Sequence, residues 1–273
     1  MKVDLVIPAE ADGYAFLAAS PRARPNPHHH DELEVNLVLA GKAAYLLNDH
    51  RIPLVAGSMI WLFPRQEHVL IDWSHDFSMW VAVFKPRLVE RHTRHRLRRI
   101  LRTPDPDEIF SRQIDSRATG FLDRVYQGGV GEGSDLELRN AALAYALVAS
   151  WQAYQFSQEP APRTGVHPAV ARAARVISEA DEPLPLGPLA RRAGLSPARL
   201  SRLFKRQTGI SLTAFRQKKC LERFLRIYDN GARYSLIESA LQAGFGSYPQ
   251  FHRVFRRVMG QSPARYRAAL RGS

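Results

Sequence analysis

The sequence predicts an α+β protein of more than one domain, with an N-terminal β-barrel or sandwich carrying a helical region and an all-α C-terminal domain holding two helix-turn-helix units. Three observations predict it. Short β-rich runs recur at even spacing in the first third of the chain, the last third repeats itself at an offset of 51 residues, and a proline-rich stretch lies between them. A length of 273 residues suits two domains, each able to bury a core of its own.

In chain order, the β-rich runs are Val35 to Leu39, Ala43 to Leu47, Met59 to Phe63, His68 to Ile71 and Phe77 to Phe84, punctuated by Gly41, Asn48-Asp49, Gly57 and Pro64. Past Pro86 the pattern turns helical. Leu136, Leu143, Leu147, Trp151 and Tyr154 put one apolar stripe on a helix, which either packs on the barrel or pairs with its twin in a second copy. Gly128, Gly129, Gly131 and Gly133 before it read as a flexible loop.

Ser157 to Pro168 contains three prolines and a glycine and reads as a linker, which sets the domains at 1–156 and 169–270 with the linker at 157–168. The charge divides there too. Up to Val166 there are 19 Lys and Arg against 20 Asp and Glu, and from His167 onward 20 against 6, so the whole excess of the +13 chain belongs to the C-terminal part. That distribution is the footprint of a polyanion binder joined to a neutral domain. No apolar run is long enough to span a bilayer, the N-terminus does not read as a signal peptide, and a cytoplasmic location is expected. With Cys220 alone there is no intrachain disulfide, no cysteine-based zinc site and no redox pair.

The internal repeat carries the functional reading. Ser196, Leu200, Arg202, Leu203, Phe204, Lys205, Arg206, Gly209, Ser211, Phe215 and Arg216 fall in order on Ser247, Phe251, Arg253, Val254, Phe255, Arg256, Arg257, Gly260, Ser262, Tyr266 and Arg267. In the first copy Leu189, Ala190 and Ala193 face inward on a short helix, Gly194 permits the turn, and Ser196 caps a second helix beginning at Pro197. Leu200, Leu203 and Phe204 face the core at i, i+3, i+4, leaving Ala198, Arg199, Ser201, Arg202, Lys205 and Arg206 outside. The second copy has Leu236, Ala240 and Ala243, then Gly244-Phe245-Gly246 and the cap Ser247. Its second helix buries Phe251, Val254 and Phe255 and shows Tyr248, Gln250, His252, Arg253, Arg256 and Arg257. A capped helix with a basic outer face is what a major groove accepts: arginine reads guanine and glutamine reads adenine, each through two hydrogen bonds. Arg202, Arg253 and Gln250 are the expected base readers, with Ser201, Tyr248 and His252 behind them, while Arg199, Lys205, Arg206, Arg256 and Arg257 hold phosphates. The alternative, a merely solvated charged face, explains neither the repetition nor the charge asymmetry.

The run from Gly244 to Arg257, with Gly260 and Ser262 to Arg267, resembles the signature closing the DNA-binding domains of AraC/XylS regulators, and Leu203-Phe204-Lys205 with Gly209 is similar to their first unit. The resemblance covers His167 to Leu270 and implies seven helices, with two helix-turn-helix units bridged by one long helix at about Leu212 to Tyr228. Ser239 departs from the pattern, which usually has isoleucine there. The resemblance further implies a homodimer working through the helical part of the N-terminal domain, double-stranded promoter DNA as partner, contact with RNA polymerase and a small-molecule effector, most often in an activator.

In the N-terminal domain, His28, His30, Glu34 and His68 offer a donor set suited to a divalent transition metal. Their order and spacing resemble the cupin metal motif, and AraC-type regulators commonly carry a cupin-like barrel here. The alternative is a polar strand entrance at His28-His29-His30. Tyr45, Trp61, Phe63, Trp73 and Trp80 are candidates to line an effector pocket in the barrel, or else ordinary core. The basic run from Arg91 to Arg102, including Arg94, Arg96, Arg98 and Arg99, reads as a solvated helix face, with an operator flank or an acidic partner as alternatives.

Two further functional classes compete with a non-enzymatic regulator. A metal-dependent cupin enzyme fused to a DNA-binding domain needs the metal and an open coordination position. A DNA-repair methyl acceptor needs a reactive cysteine, and Cys220 is expected in the bridging helix, away from any suitable pocket.

Overall fold

The computed structural model describes residues 4–19, 29–130, 135–157, 159–160, 162–180, 182–229 and 235–271. Alternating inward and outward side chains build two facing sheets in the N-terminal half. One has the order β1-β7-β2-β5-β8, from Gly13–Ala19 (β1), Ser78–Phe84 (β7), Leu33–Ala40 (β2), Ser58–Leu62 (β5) and Ser111–Gln113 (β8). The other has the order β6-β3-β4-β9, from His68–Trp73 (β6), Lys42–Leu47 (β3), His50–Val55 (β4) and Thr164–Gly165 (β9). The five predicted strands are β2, β3, β5, β6 and β7. β1 escaped because Gly-Tyr-Ala-Phe-Leu-Ala-Ala hardly alternates, and β4 because of Pro53, which is tolerated where β4 has a partner only on the β3 side.

The period of two sends each strand's side chains into different cores. Tyr45, Leu47, Ile52, Leu54, Ile60, Leu62, Leu70, Trp73, Val81 and Val83 fill the space between the sheets. Val35, Leu37, Met59, Trp61, Trp80, Ala82 and Phe84 face the opposite way, onto the helices that follow: Pro86–His92 (α1), His95–Leu101 (α2), Ser116–Val130 (α3) and Leu136–Phe156 (α4). The predicted stripe settles there, with Leu143, Leu147, Trp151 and Tyr154 buried against the barrel.

The glycine-rich segment differs from expectation. Gly128 and Gly129 lie inside α3 rather than in a loop, whereas Gly131 and Gly133 fall outside the described residues. The reason at Gly129 is close approach, since a Cβ there would stand 2.2 Å from that of Ala142 on α4.

The linker is laid along the N-terminal domain. Ser157 Oγ donates to the Gln113 carbonyl, the Gln113 amide donates to the Glu159 carbonyl, and β9 pairs with β4. Helices Pro168–Glu179 (α5), Leu186–Ala193 (α6), Pro197–Thr208 (α7), Leu212–Asp229 (α8), Leu236–Gln242 (α9), Tyr248–Met259 (α10) and Pro263–Arg271 (α11) follow, seven among the described residues. The expected bridging helix is α8. The first helix-turn-helix unit docks on the outer face of the four-stranded sheet, where Ala44, Leu46, Val69 and Ile71 join one apolar cluster with Val170, Ala174, Phe204 and Phe215.

Candidate nucleic-acid interface and buried histidine–glutamate cluster

In both units a serine hydroxyl caps the second helix. Ser196 Oγ accepts from the Arg199 amide and Ser247 Oγ from that of Gln250, satisfying donors the first turn leaves over. Pro sits in the first turn of each, and each ends at a glycine in the left-handed conformation, Gly209 at φ 84° and Gly260 at φ 69°. Leu200 and Phe204 in α7, and Phe251, Val254, Phe255 and Val258 in α10, anchor the inner faces. The first helices turn into them as expected, with Leu189, Ala190 and Ala193 buried in α6, and Leu236 and Ala240 in α9.

Ala198, Arg199, Arg202, Lys205 and Arg206 on α7 are exposed, with Ser201 half-buried among them. On α10, Arg253, Arg256 and Arg257 are exposed, while Tyr248, Gln250 and His252 are half-buried rather than free. Two of these side chains are hydrogen-bonded to other described residues. Gln250 Oε1 accepts from the Gly246 amide at 3.0 Å, and Arg257 donates to Gln217 Oε1 at 2.8 Å. Gln250 is thus tied to the turn before α10, and Arg257 leans toward α8. Docking against the barrel leaves the outer faces of both helices open.

The bridging helix carries polar contacts that sequence reasoning missed, one of them to the second unit. Arg223 donates to the Ala243 carbonyl at the end of α9. Lys219 and Glu222 form a buried ion pair at 3.2 Å. Burial lowers the Lys219 ammonium to about 8 against its carboxylate partner and raises Glu222 to about 7. Ser239, where the family pattern has an apolar residue, is fully buried, and its hydroxyl has no hydrogen-bond partner among the described residues. Cys220 is buried on the same helix, and burial pushes its thiol up.

At one end of the barrel interior, His30, Glu34 and His68 come together with one donor atom from each inside 4.8 Å of the others, and all three are buried. His28 lies outside the described residues. His68 Nδ1 donates to the Gln66 carbonyl at 2.9 Å and His30 Nδ1 to the Glu32 carbonyl at 3.1 Å, which directs both Nε2 atoms at the cluster. His30 Nε2 lies 3.1 Å from Glu34 Oε2. Burial works against an imidazolium there, but the Glu34 hydrogen bond and charge, backed by Glu32, outweigh it and hold His30 above its ordinary value. Asn36 Nδ2 donates to Glu34 Oε1 at 2.8 Å and to the Tyr45 hydroxyl at 3.1 Å. Burial and the Glu34 charge raise Tyr45 well above the usual phenol. Asn36 was not anticipated, although its place two residues after Glu34 on an alternating strand sends both inward.

The candidate pocket aromatics are not brought together. Tyr45 and Trp73 belong to the core between the sheets. Trp61, Phe63 and Trp80 lie in the core beneath the helices instead: Trp61 meets Trp151 edge-on at 5.5 Å, Phe63 packs on Phe110, and Trp80 stacks on Tyr126 and donates to Asp123 at 2.7 Å. The strand period explains it, since Trp61 and Trp80 occupy the phase opposite to Ile60 and Val81. In the basic run, Arg91 pairs with buried Asp12, Arg102 pairs with Glu90 and Arg98 donates to the Thr93 carbonyl, while Arg94, Arg96 and Arg99 are exposed.

Two family models match. One, described as an AraC-like ligand binding domain, covers residues 10–81, and the other, described as a helix-turn-helix domain, covers residues 189–269. Between them they take in more than half of the chain. The chain belongs to the AraC family. It is 28% identical over 168 residues to the arabinose operon regulatory protein of Escherichia coli K12, a match covering 58% of this chain and 55% of that protein, and so about half the relative's length. It is 24% identical over 256 residues to the uncharacterized HTH-type transcriptional regulator YfiF of Bacillus subtilis, covering 90% of this AraC-family chain and 80% of that one. Among solved structures it is similar to ToxT from Vibrio cholerae, with TM-score 0.40 at 11% identity, covering 93% of this chain and 96% of that one. It is also similar to the DNA-binding domain of AdpA in complex with a target DNA, with TM-score 0.33 at 31% identity, covering 38% and 94%. Among the described residues no helix is long and apolar enough to cross a membrane.

Proposed function

We propose that the chain is a sequence-specific, double-stranded DNA-binding transcription regulator whose two recognition helices, α7 and α10, enter adjacent major grooves. The observation that carries this reading is the duplicated unit, with a serine-capped helix, a buried apolar face and an exposed basic face occurring twice around one bridging helix. Arg202 and Arg253 read bases, and Gln250 does so after releasing Gly246. Arg199, Lys205, Arg206 and Arg256 hold phosphates, as does Arg257 on leaving Gln217. The regulator is not an enzyme, acts in the cytoplasm, and activates transcription through RNA polymerase in response to a small effector held by the N-terminal domain.

The homodimer expected for the family has a different face from the predicted stripe, which is spent on the barrel. Leu138, Tyr145 and Val148 of α4 are 51%, 56% and 43% exposed and lie on one side of the helix, with Phe121 of α3 beside Tyr145. This is the surface a second copy covers, and Tyr145→Glu is expected to yield monomers by sedimentation.

Footprinting on the DNA flanking the chain's own gene, across a salt series, tests the regulatory reading. Protection of a defined site with two contacts about one helical turn apart per protomer supports it. Diffuse protection that disappears uniformly with salt overturns it. A second reading, a metal-dependent enzyme tethered to a DNA-binding domain, is favoured only by the His30–Glu34–His68 cluster. It fails if the metal-loaded chain turns over no small substrate.

A further inference from the structure

Three ionisable side chains buried at the end of a barrel are costly unless something compensates them. Here each imidazole already has Nδ1 fixed on a backbone carbonyl, the outer contact that orients a metal-ligating histidine. The carboxylate is likewise steadied from outside, by Asn36. The donor set is two nitrogens and one carboxylate, suited to zinc and its first-row neighbours and poor for magnesium or calcium, which prefer oxygen. Three protein ligands leave coordination positions for water.

The cluster also joins the two sheets. Glu34 is on β2 of the five-stranded sheet, with His30 just before that strand, while His68 begins β6 of the four-stranded sheet. The residues flanking His68 point the other way, toward the DNA-binding domain. Glu67 pairs with Arg175 of α5, and Val69 lies in the apolar cluster shared with α5 and α7. At the far end of β6, Asp72 pairs with Lys218 of α8, whose ammonium lies 4.2 Å from the centroid of the Trp73 ring. One strand thus carries a candidate ligand on its inner side and the seat of the first helix-turn-helix unit on its outer side.

We propose that His30, Glu34 and His68 bind one divalent transition-metal ion and that this ion is the effector, its coordination drawing β6 toward β2 and resetting how the DNA-binding domain sits on the four-stranded sheet. The effector role rests on the regulatory reading above; the metal site does not.

The test uses tag-free full-length protein stripped with chelator. Cobalt(II), followed by its visible absorption, is expected to bind at one ion per chain and to be displaced by zinc, while magnesium produces no change. Glu34→Gln keeps the side-chain size and is expected to weaken cobalt at least about 10-fold, as is His68→Ala, with folding followed by circular dichroism. Replacing the half-exposed His50 is expected to change nothing. Footprints of stripped and zinc-loaded protein are expected to differ at least about 5-fold in DNA affinity, a difference absent in Glu34→Gln. Failure of the folded wild-type chain to take up an ion, or equal uptake by Glu34→Gln, overturns the site. Stoichiometric uptake with identical footprints overturns the effector role. Stoichiometric uptake with no defined footprint in either state instead overturns the regulatory reading, and with it the effector role, while supporting the site.

Discussion

Replacing Arg253 by alanine isolates base reading from folding. Its guanidinium is exposed on α10, and no hydrogen bond or ion pair ties it to the described chain, so the substitution is expected to leave stability within about 0.5 kcal/mol. On DNA, an arginine held bidentately on guanine contributes about 1–3 kcal/mol of discrimination, or a loss of about 5- to 150-fold on the preferred site. Arg256, one helical turn farther along the same exposed face, serves as the contrast. As a phosphate contact, Arg256→Ala is expected to weaken all sequences alike and to reduce the slope of log affinity against log salt by about 0.9. The assay is a set of binding isotherms for wild type, Arg253→Ala and Arg256→Ala on the footprinted site and on variants of each base pair, at several salt concentrations. Arg253→Ala should flatten preference at one base pair only. If it weakens every sequence equally and shifts the salt slope as Arg256→Ala does, the assignment of α10 residues to base and phosphate is refuted.

The bridging helix offers a second test. Lys219→Met leaves Glu222 buried without its ion-pair partner and is expected to cost about 3–5 kcal/mol in denaturant unfolding, most of it recovered in Lys219→Met/Glu222→Leu. The pair also shapes the pH profile. Glu222, raised in the folded state from 4.5 to about 7, makes stability fall as pH rises through that window, and Lys219, lowered from 10.5 to about 8, makes it rise again above about 8. The resulting minimum between these windows should disappear in the double variant. Gly129→Ala drives a methyl into Ala142 and should cost about 1–3 kcal/mol, relieved when Ala142→Gly is added. Ser235 and Glu238 form a reciprocal capping box at the start of α9, so Ser235→Ala should lower stability by about 1 kcal/mol, measured by urea unfolding.

What could be read before the structure follows from the range over which each signal acts. The serine caps, the i, i+3, i+4 apolar faces of α7 and α10 and the terminating glycines are local, and their duplication made them unmistakable; local alternation likewise predicts five of the strands, whereas α8 is expected only from the family resemblance. Gln250 shows where that reach ends. Its residue type announces adenine recognition, yet its bond to Gly246 depends on the turn between α9 and α10, which composition does not describe. Gly129 fails for a related reason: a glycine that frees a loop and a glycine that lets two helices touch have the same letter, and only Ala142 opposite distinguishes them.

The expected aromatic pocket and the histidine–glutamate cluster make a sharper contrast, because both are read from one stretch of strands. Trp61 and Trp80 were grouped with Tyr45 by size and chemistry, but strand phase puts them on the opposite surface, under α3 and α4. Glu34 and His68 were grouped by ligand chemistry and do converge, with Asn36, two residues after Glu34, in the same phase. In a two-sheet barrel whose outer faces are both covered, one by its own helices and the other by the DNA-binding domain, hydrophobicity no longer marks the interior. The Glu34 carboxylate and the His30 and His68 imidazoles nevertheless meet inside the barrel, where His30 and Glu34 satisfy one another. The buried carboxylate and imidazoles were therefore a better guide to the interior than the large aromatic side chains, and one of them, His68, begins the strand that touches the DNA-binding domain.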